Sequence, residues 1–207
     1  MGTTTATKPT ATVVLDFYGT LAEATEVGPT FDDVLIDLGY TPQGRQSWEL
    51  LATEAAEHAE HSTSREAYVA WEHARLRQFA EQAGVPASAS ASVADALIET
   101  SKAYRLRLYD ETIEVLDALT DRGVRLALCS NWDWDLPDHL TELGLDHYFT
   151  PTVVSARAGA RKPHPRIYTH LVDGLGCMPS EVLFVGDTWD ADVEGPLAHG
   201  MRAAHVC

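Results

Sequence analysis

Val13-Val14-Leu15-Asp16-Phe17-Tyr18-Gly19-Thr20-Leu21 is the stretch that decides the fold. A short apolar run with β-branched residues ends in an aspartate and turns at once through Gly19. That pattern belongs to a buried parallel strand delivering a carboxylate to the end of a sheet. Ligand sites in open α/β sheets form outside the carboxyl ends of the strands. Taken alone, Asp16 is either a reactive carboxylate beside the backbone amides of Gly19 and Thr20 or a side chain capping a turn. The other strand ends have to choose between the two.

From Asp110 onward helices and strands alternate. Helical spacing covers residues 112–122, 134–143, 165–175 and 190–199, and apolar β-like runs cover 124–129, 152–154, 182–185 and 203–206. Alternation of this kind implies βαβ units and an α/β fold built on a doubly wound, Rossmann-like parallel sheet. Between Leu21 and this region the β signal disappears, and helices are predicted over 31–38, 43–61, 64–84 and 92–106. The Ala-Ser alternation of 86–93 reads as a loop between the last two. An all-helical block inserted after a first strand has the layout of a cap or lid. The expected division is a frayed tail over 1–10, a core of 11–21 and 107–207, and a helical cap domain over 22–106.

Composition narrows the function. At 207 residues, with 45% hydrophobic and 22% charged residues, the chain is an ordinary globular protein with room for a real core. A net charge of -16 argues against nucleic acid or an anionic membrane as partner. No apolar run approaches the ~20 residues of a bilayer span. Residues 1–10 lack the apolar segment of a signal peptide. Cys129, Cys177 and Cys207 form no CxxC pair, so free thiols in a reducing, cytoplasmic setting are expected. A small anionic substrate stays compatible with the acidic balance; oligomeric state is not legible.

The predicted strand ends carry a coherent set. The first supplies Asp16 and Thr20, the second Ser130-Asn131, the third is followed by Lys162-Pro163, and the fourth supplies Gly186-Asp187 with Asp192 five residues on. A carboxylate nucleophile, a hydroxyl, a cation and an acidic pair suit phosphoryl transfer, which needs positive charge around the oxygens and a metal to let an anion attack an anion. Asp16 and Asp187 are suited to a hard cation such as Mg²⁺.

With these four motifs in this order, the chain resembles the haloacid dehalogenase superfamily from Ala11 to Val206, cap included. The resemblance implies that Asp16 is a nucleophile forming a covalent aspartyl intermediate and that Thr20 steadies its loop. It implies that Ser130 and Lys162 bind the transferred group. Mg²⁺ would be held by Asp16, Asp187 and the Tyr18 carbonyl, with Asp192 in support. Tyr18 and Asn131 are further candidates for substrate contact.

Tyr18 departs from the family's phosphatases, most of which carry a second aspartate there as general acid. A tyrosine, with a reference pKa of about 10, is similar to the pattern of the family's 2-haloacid dehalogenases. Those enzymes replace the acidic pair of the fourth motif, whereas this chain keeps Asp187 and Asp192. The expectation is therefore a Mg²⁺-dependent phosphatase of a small metabolite, with dehalogenation as the alternative and a catalytically degenerate binding module as a third reading. Phosphonate cleavage through a lysine of the cap proper falls, because the lysines are Lys8, Lys102 and Lys162 and the cap proper, residues 22–101, has none.

Several residues carry a bland expectation beside a sharper one. Arg45, in the predicted second cap helix, could clamp a substrate anion or simply be solvated. Trp48, Tyr68, Trp71 and Phe79 read as cap core rather than pocket wall. His58 and His61 read as a solvated helix face, Asp133 and Asp190 as helix caps, and Trp132 and Trp134 as either site wall or helix packing.

Overall fold

The structure, a computed structural model, describes residues 12–42 and 57–206. A five-stranded parallel sheet sets its geometry. Strand β1 (Thr12–Leu15) lies at the centre, flanked by β4 (Arg125–Ser130) and β6 (Val182–Gly186), with β5 (Thr152–Val154) and β7 (Arg202–His205) at the edges. The register aligns Leu15 with Leu128 on one side and Val185 on the other. Asp16 follows directly, its amide still donating to Val185 O at 2.9 Å. Thus the first carboxylate leaves the ladder at the carboxyl edge, where the chain can turn away from the sheet.

Successive side chains of a strand point to opposite faces, and the core obeys this. Leu15, Leu126 and Leu128 belong to one apolar cluster with Phe17, Leu116 and Leu140. Val14, Ala127 and Cys129 belong to another with Ile167, Leu171 and Phe184. Both faces are covered, which is why these strands read as continuous apolar runs. The covering helices are α4 (Thr112–Asp121), α5 (Leu136–Glu142), α6 (Ser155–Ala158), α7 (Pro165–Leu175) and α8 (Gly195–Ala198).

The helical module after β1 contains α1 (Phe31–Asp37), α2 (Arg65–Gln82) and α3 (Ser90–Ser101). Thr30 closes a capping box with Asp33 at the start of α1, and the Ser64 hydroxyl accepts from Ala67 N at the start of α2. The module has its own core, in which Leu35, Leu76, Phe79, Val93 and Leu97 are buried together. No helix among the described residues is long and apolar enough to cross a membrane.

Three local expectations are corrected. The β signal does not vanish at Leu21: β2 (Ala22–Val27) pairs antiparallel with β3 (Tyr104–Leu108), so the helix expected over 92–106 stops at Ser101. Tyr104-Arg105-Leu106-Arg107-Leu108 alternates polar and apolar residues, the strand period, and two exposed ion pairs cross the ribbon, Arg107–Glu23 and Arg105–Glu26. The loop expected over 86–93 is helical from Ser90. The helix expected over 43–61 falls largely outside the described residues, and its final stretch is instead a bridge at Glu57 followed by one 3₁₀ turn, Ala59–His61.

Candidate active site

Asp16, Lys162 and Asp192 form a closed knot at the carboxyl edge of the sheet. The Lys162 ammonium donates to Asp16 Oδ1 at 2.8 Å, to Asp192 Oδ1 at 2.6 Å and to the Cys129 carbonyl at 2.9 Å. Its three donors are thereby all used. The three residues are buried, Asp192 completely. Burial alone would lower the lysine pKa, but the carboxylates of Asp16 and Asp192 outweigh it and the net shift is upward. Burial pushes the Asp192 carboxyl up, with Lys162 opposing. Beside them, burial raises the Cys129 thiol to about 12, so it stays neutral and inert.

Asp192 reaches this place through a π-helical segment, Trp189–Glu194, where an ordinary helix was expected from Asp190. Its carboxylate also accepts from Thr188 N at 3.1 Å, which ties the loop after β6 to the knot. Asp187 stands half-buried alongside. The ligand oxygens of Asp16, Asp187 and Asp192 lie within 4.8 Å of one another. Gly19 makes that approach possible: its φ is +80°, and a Cβ there would sit 2.2 Å from Asp187 Oδ2.

Three carboxylates against one lysine leave a local deficit of two positive charges. Hard oxygen donors in that number fit a small divalent cation such as Mg²⁺. Ser130, buried, ends β4 at the same edge, and the Thr20 hydroxyl is buried with no hydrogen-bond partner among the described residues. Asn131 grips the lysine loop: its amide donates to Lys162 O at 2.9 Å and its carbonyl accepts from Lys162 N at 2.7 Å.

Next to the knot lies a cavity of about 250 Å³. Tyr18, Asn131 and Trp132 line it from the sheet, Tyr68, Trp71, Glu72 and Arg75 from α2. Of the residues proposed from sequence, Asp16, Lys162, Asp187 and Asp192 therefore converge directly. Thr20 and Ser130 flank them, Tyr18 and Asn131 face the cavity, and Arg45 lies outside the described residues, as does Trp48.

The bland expectations fared unevenly. Phe79 packs in the helical module's core, but Tyr68 and Trp71 line the cavity. Trp132 is a cavity wall as well, meeting Phe17 edge-on at 5.2 Å, while Trp134 stacks with Arg157 above its ring. His58 is buried, not solvated, with Nε2 3.1 Å from Ser155 O. It stacks on Trp71, and His61 stacks on the same ring. Asp133 does not cap a helix: its carboxylate accepts from the Tyr68 hydroxyl at 3.0 Å, and Asp135 occupies the N-cap of α5. Among the described residues the Asp190 carboxylate accepts only from the next amide, Ala191 N. Arg161, which directly precedes Lys162 and lines the cavity, has no role in the expectations from sequence.

A match to the haloacid dehalogenase-like hydrolases extends over residues 10–200. This chain belongs to that family. It is a hydrolase. It is 35% identical over 135 residues to the mouse haloacid dehalogenase-like hydrolase domain-containing protein 3, covering 64% of this chain and 53% of that one. It is 33% identical over 132 residues to a phosphoserine phosphatase of Thermus thermophilus, covering 63% and 52%. The chain thus spans about half the length of these curated relatives. The crystal structure of a predicted phosphoglycolate phosphatase from Haemophilus somnus shares the fold, with a TM-score of 0.63, 21% identity, and coverage of 95% of this chain and 84% of that one.

Proposed function

We propose that this haloacid dehalogenase-like hydrolase is a Mg²⁺-dependent phosphatase acting on a small phosphorylated metabolite. The observation that carries the reading is the gathering of Asp16, Asp187 and Asp192 within 4.8 Å, with Lys162 as the cation among them. That many carboxylates weaken the binding of an anionic substrate, and a bound metal would offset the repulsion. Asp16, Asp187, the Tyr18 carbonyl and Asp192 would hold Mg²⁺, which when bound supplies the charge neutralisation that phosphoryl transfer requires.

The protein's own groups then divide the work. Lys162 holds Asp16 Oδ1, so the second carboxylate oxygen is the attacking atom. It forms a bond to phosphorus as the ester oxygen leaves, giving an aspartyl-phosphate and an alkoxide that takes its proton from water. A second water then cleaves the acyl phosphate, releasing inorganic phosphate and restoring Asp16. Thr20 and Ser130 would hold the phosphoryl oxygens, Lys162, its donors spent on protein oxygens, would offset the charge on Asp16 and the transferred group, and Asn131 would fix the backbone from which Lys162 projects. The phosphatase name of the Thermus relative supports this reading.

Tyr18 favours a second reading, a 2-haloacid dehalogenase, because an aspartate acid is missing there. One assay separates them: phosphate release from an ester panel and chloride release from 2-chloropropionate, each with Mg²⁺ and with EDTA. Mg²⁺-dependent phosphate release, lost on chelation and in Asp16→Asn, is expected. Metal-independent chloride release without phosphate release overturns the proposal. A binding-only protein would show neither activity, and no Mg²⁺-dependent thermal stabilisation by a fluoride phosphoryl mimic.

A further inference from the structure

The cavity beside the knot holds four charged side chains, and three are already satisfied. Arg75 closes a fork on Glu72, Nε to Oε2 at 2.9 Å and Nη2 to Oε1 at 2.6 Å, over the face of Trp71. Asp133 takes the Tyr68 hydroxyl. Arg161 is left over. Arg161 lines the cavity, and among the described residues its guanidinium makes no side-chain hydrogen bond and no ion pair. A guanidinium carries five donors in a planar fork matched to carboxylates and phosphates.

Its surroundings leave that fork hungry. Burial lowers the Arg161 pKa and Arg75 adds like charge, while Tyr68, Asp133 and Glu72 compensate incompletely. Arg161 and Lys162 are consecutive, about 3.8 Å apart at Cα, yet their side chains diverge. Lys162 goes to Asp16, and Arg161 goes to the cavity. A molecule reacting at Asp16 would therefore place its other end, a few bonds away, within reach of Arg161. Tyr18 and Trp132 would flank the stem between.

We infer that Arg161 forms a second anion subsite, which receives a carboxylate on the leaving group of the substrate. Carboxylate is preferred to a second phosphate because Glu72 and Asp133 share the cavity and would repel a dianion more strongly. The substrate class is then a short phosphorylated acid. The inference rests on the phosphatase reading for the chemistry at Asp16, but the subsite is a binding site that can be tested without turnover.

The test titrates Mg²⁺-free protein with 3-phosphoglycerate and with glycerol 3-phosphate, which lacks the carboxylate, following the fluorescence of the cavity tryptophans Trp71 and Trp132. The wild type should bind the carboxylate-bearing ester at least about 10-fold more tightly. Arg161→Gln should erase most of that preference, a loss of roughly 10- to 100-fold for charge-assisted hydrogen bonds. Arg161→Lys should fall between, keeping the charge and losing the fork. Melting curves show that each variant is folded; if Arg161→Gln is not, the wild-type ratio and Arg161→Lys still decide. Equal affinities in the wild type, or an undiminished preference in the variants, overturns the subsite. Adding Mg²⁺ and measuring phosphate release from both esters tests the phosphatase reading separately. Release from neither defeats that reading and leaves the measured affinity ratio, and with it the subsite, standing.

Discussion

The knot at Asp16 and the cavity beneath α2 sit side by side, yet they are built on opposite terms. In the knot every donor of Lys162 is spent and Asp192 has no solvent contact. In the cavity a tyrosine is 44% exposed, an arginine has no ion-pair partner among the described residues, and an aspartate faces open space. The closed region holds its carboxylates at fixed spacing. Chemistry set by the first and selectivity set by the second is the division we propose from this contrast.

Breaking the knot should have the largest effect. Lys162→Met keeps the side chain's length and removes the charge, leaving Asp16 and Asp192 buried and uncompensated. Losing one member of a buried pair costs about 3–5 kcal/mol. The expected outcome is loss of turnover together with a large drop in denaturant midpoint at neutral pH. The sign with pH follows from the raised lysine pKa. Its contribution is fully present below the pKa of an unfolded lysine and is lost only as pH rises through the still higher folded value. Acid should narrow the gap between variant and wild type, because the orphaned carboxylates become neutral. A pH-independent deficit would show that Lys162 acts by packing alone.

Two glycines compare the regions more finely. Gly19 and Gly39 both have positive φ, +80° and +85°. A Cβ at Gly39, after α1, meets nothing within 4 Å, whereas at Gly19 it would strike the Asp187 carboxylate. Gly39→Ala should lose only the left-handed backbone penalty, about 1–2 kcal/mol, and keep its activity. Gly19→Ala should lose that and also turnover and Mg²⁺-dependent thermal stabilisation, since Asp187 must move. If both variants keep their metal response, the close packing at Gly19 is not what sets the acidic cluster.

The contrast also explains what the sequence could reveal. Parallel strands buried on both faces must be apolar along their length, so β4, β5 and β6 appear as runs, and the residues just past them mark the sheet's edge. Asp16, Ser130 and Asp187 were found that way, and Lys162 from its loop. The ribbon of β2 and β3 was missed because it is largely exposed and its alternation in 104–108 was absorbed into a helix. Asp133 and His58 were misjudged for a different reason. Their partners, Tyr68 and Ser155, are remote in sequence, and no local pattern predicts a contact across that span. Arg161 carries no expectation from sequence because an arginine's meaning here is the absence of a partner among the described residues, which only three dimensions can show.

Asp133 offers the smallest and most delicate test. Its side chain faces the cavity, yet the surrounding protein desolvates it, and with Glu72 nearby its carboxyl pKa rises; the Tyr68 hydroxyl and Arg161 oppose this. For an acid whose folded pKa lies above its unfolded one, the charged form is penalised in the native state. The penalty is absent below the unfolded pKa, near 3.9, and grows as pH rises through the folded value. Asp133→Asn keeps an oxygen to accept from Tyr68 while removing the charge. The variant should melt at or slightly above the wild type at pH 7, and the difference should shrink toward pH 4. Because Asp133 also offsets Arg161, the same substitution should strengthen binding of a carboxylate-bearing ester at pH 7. A melting difference that does not change with pH would mean that the Asp133 carboxylate is as well solvated in the native cavity as in the unfolded chain. The open region would then be wetter than its lining residues imply.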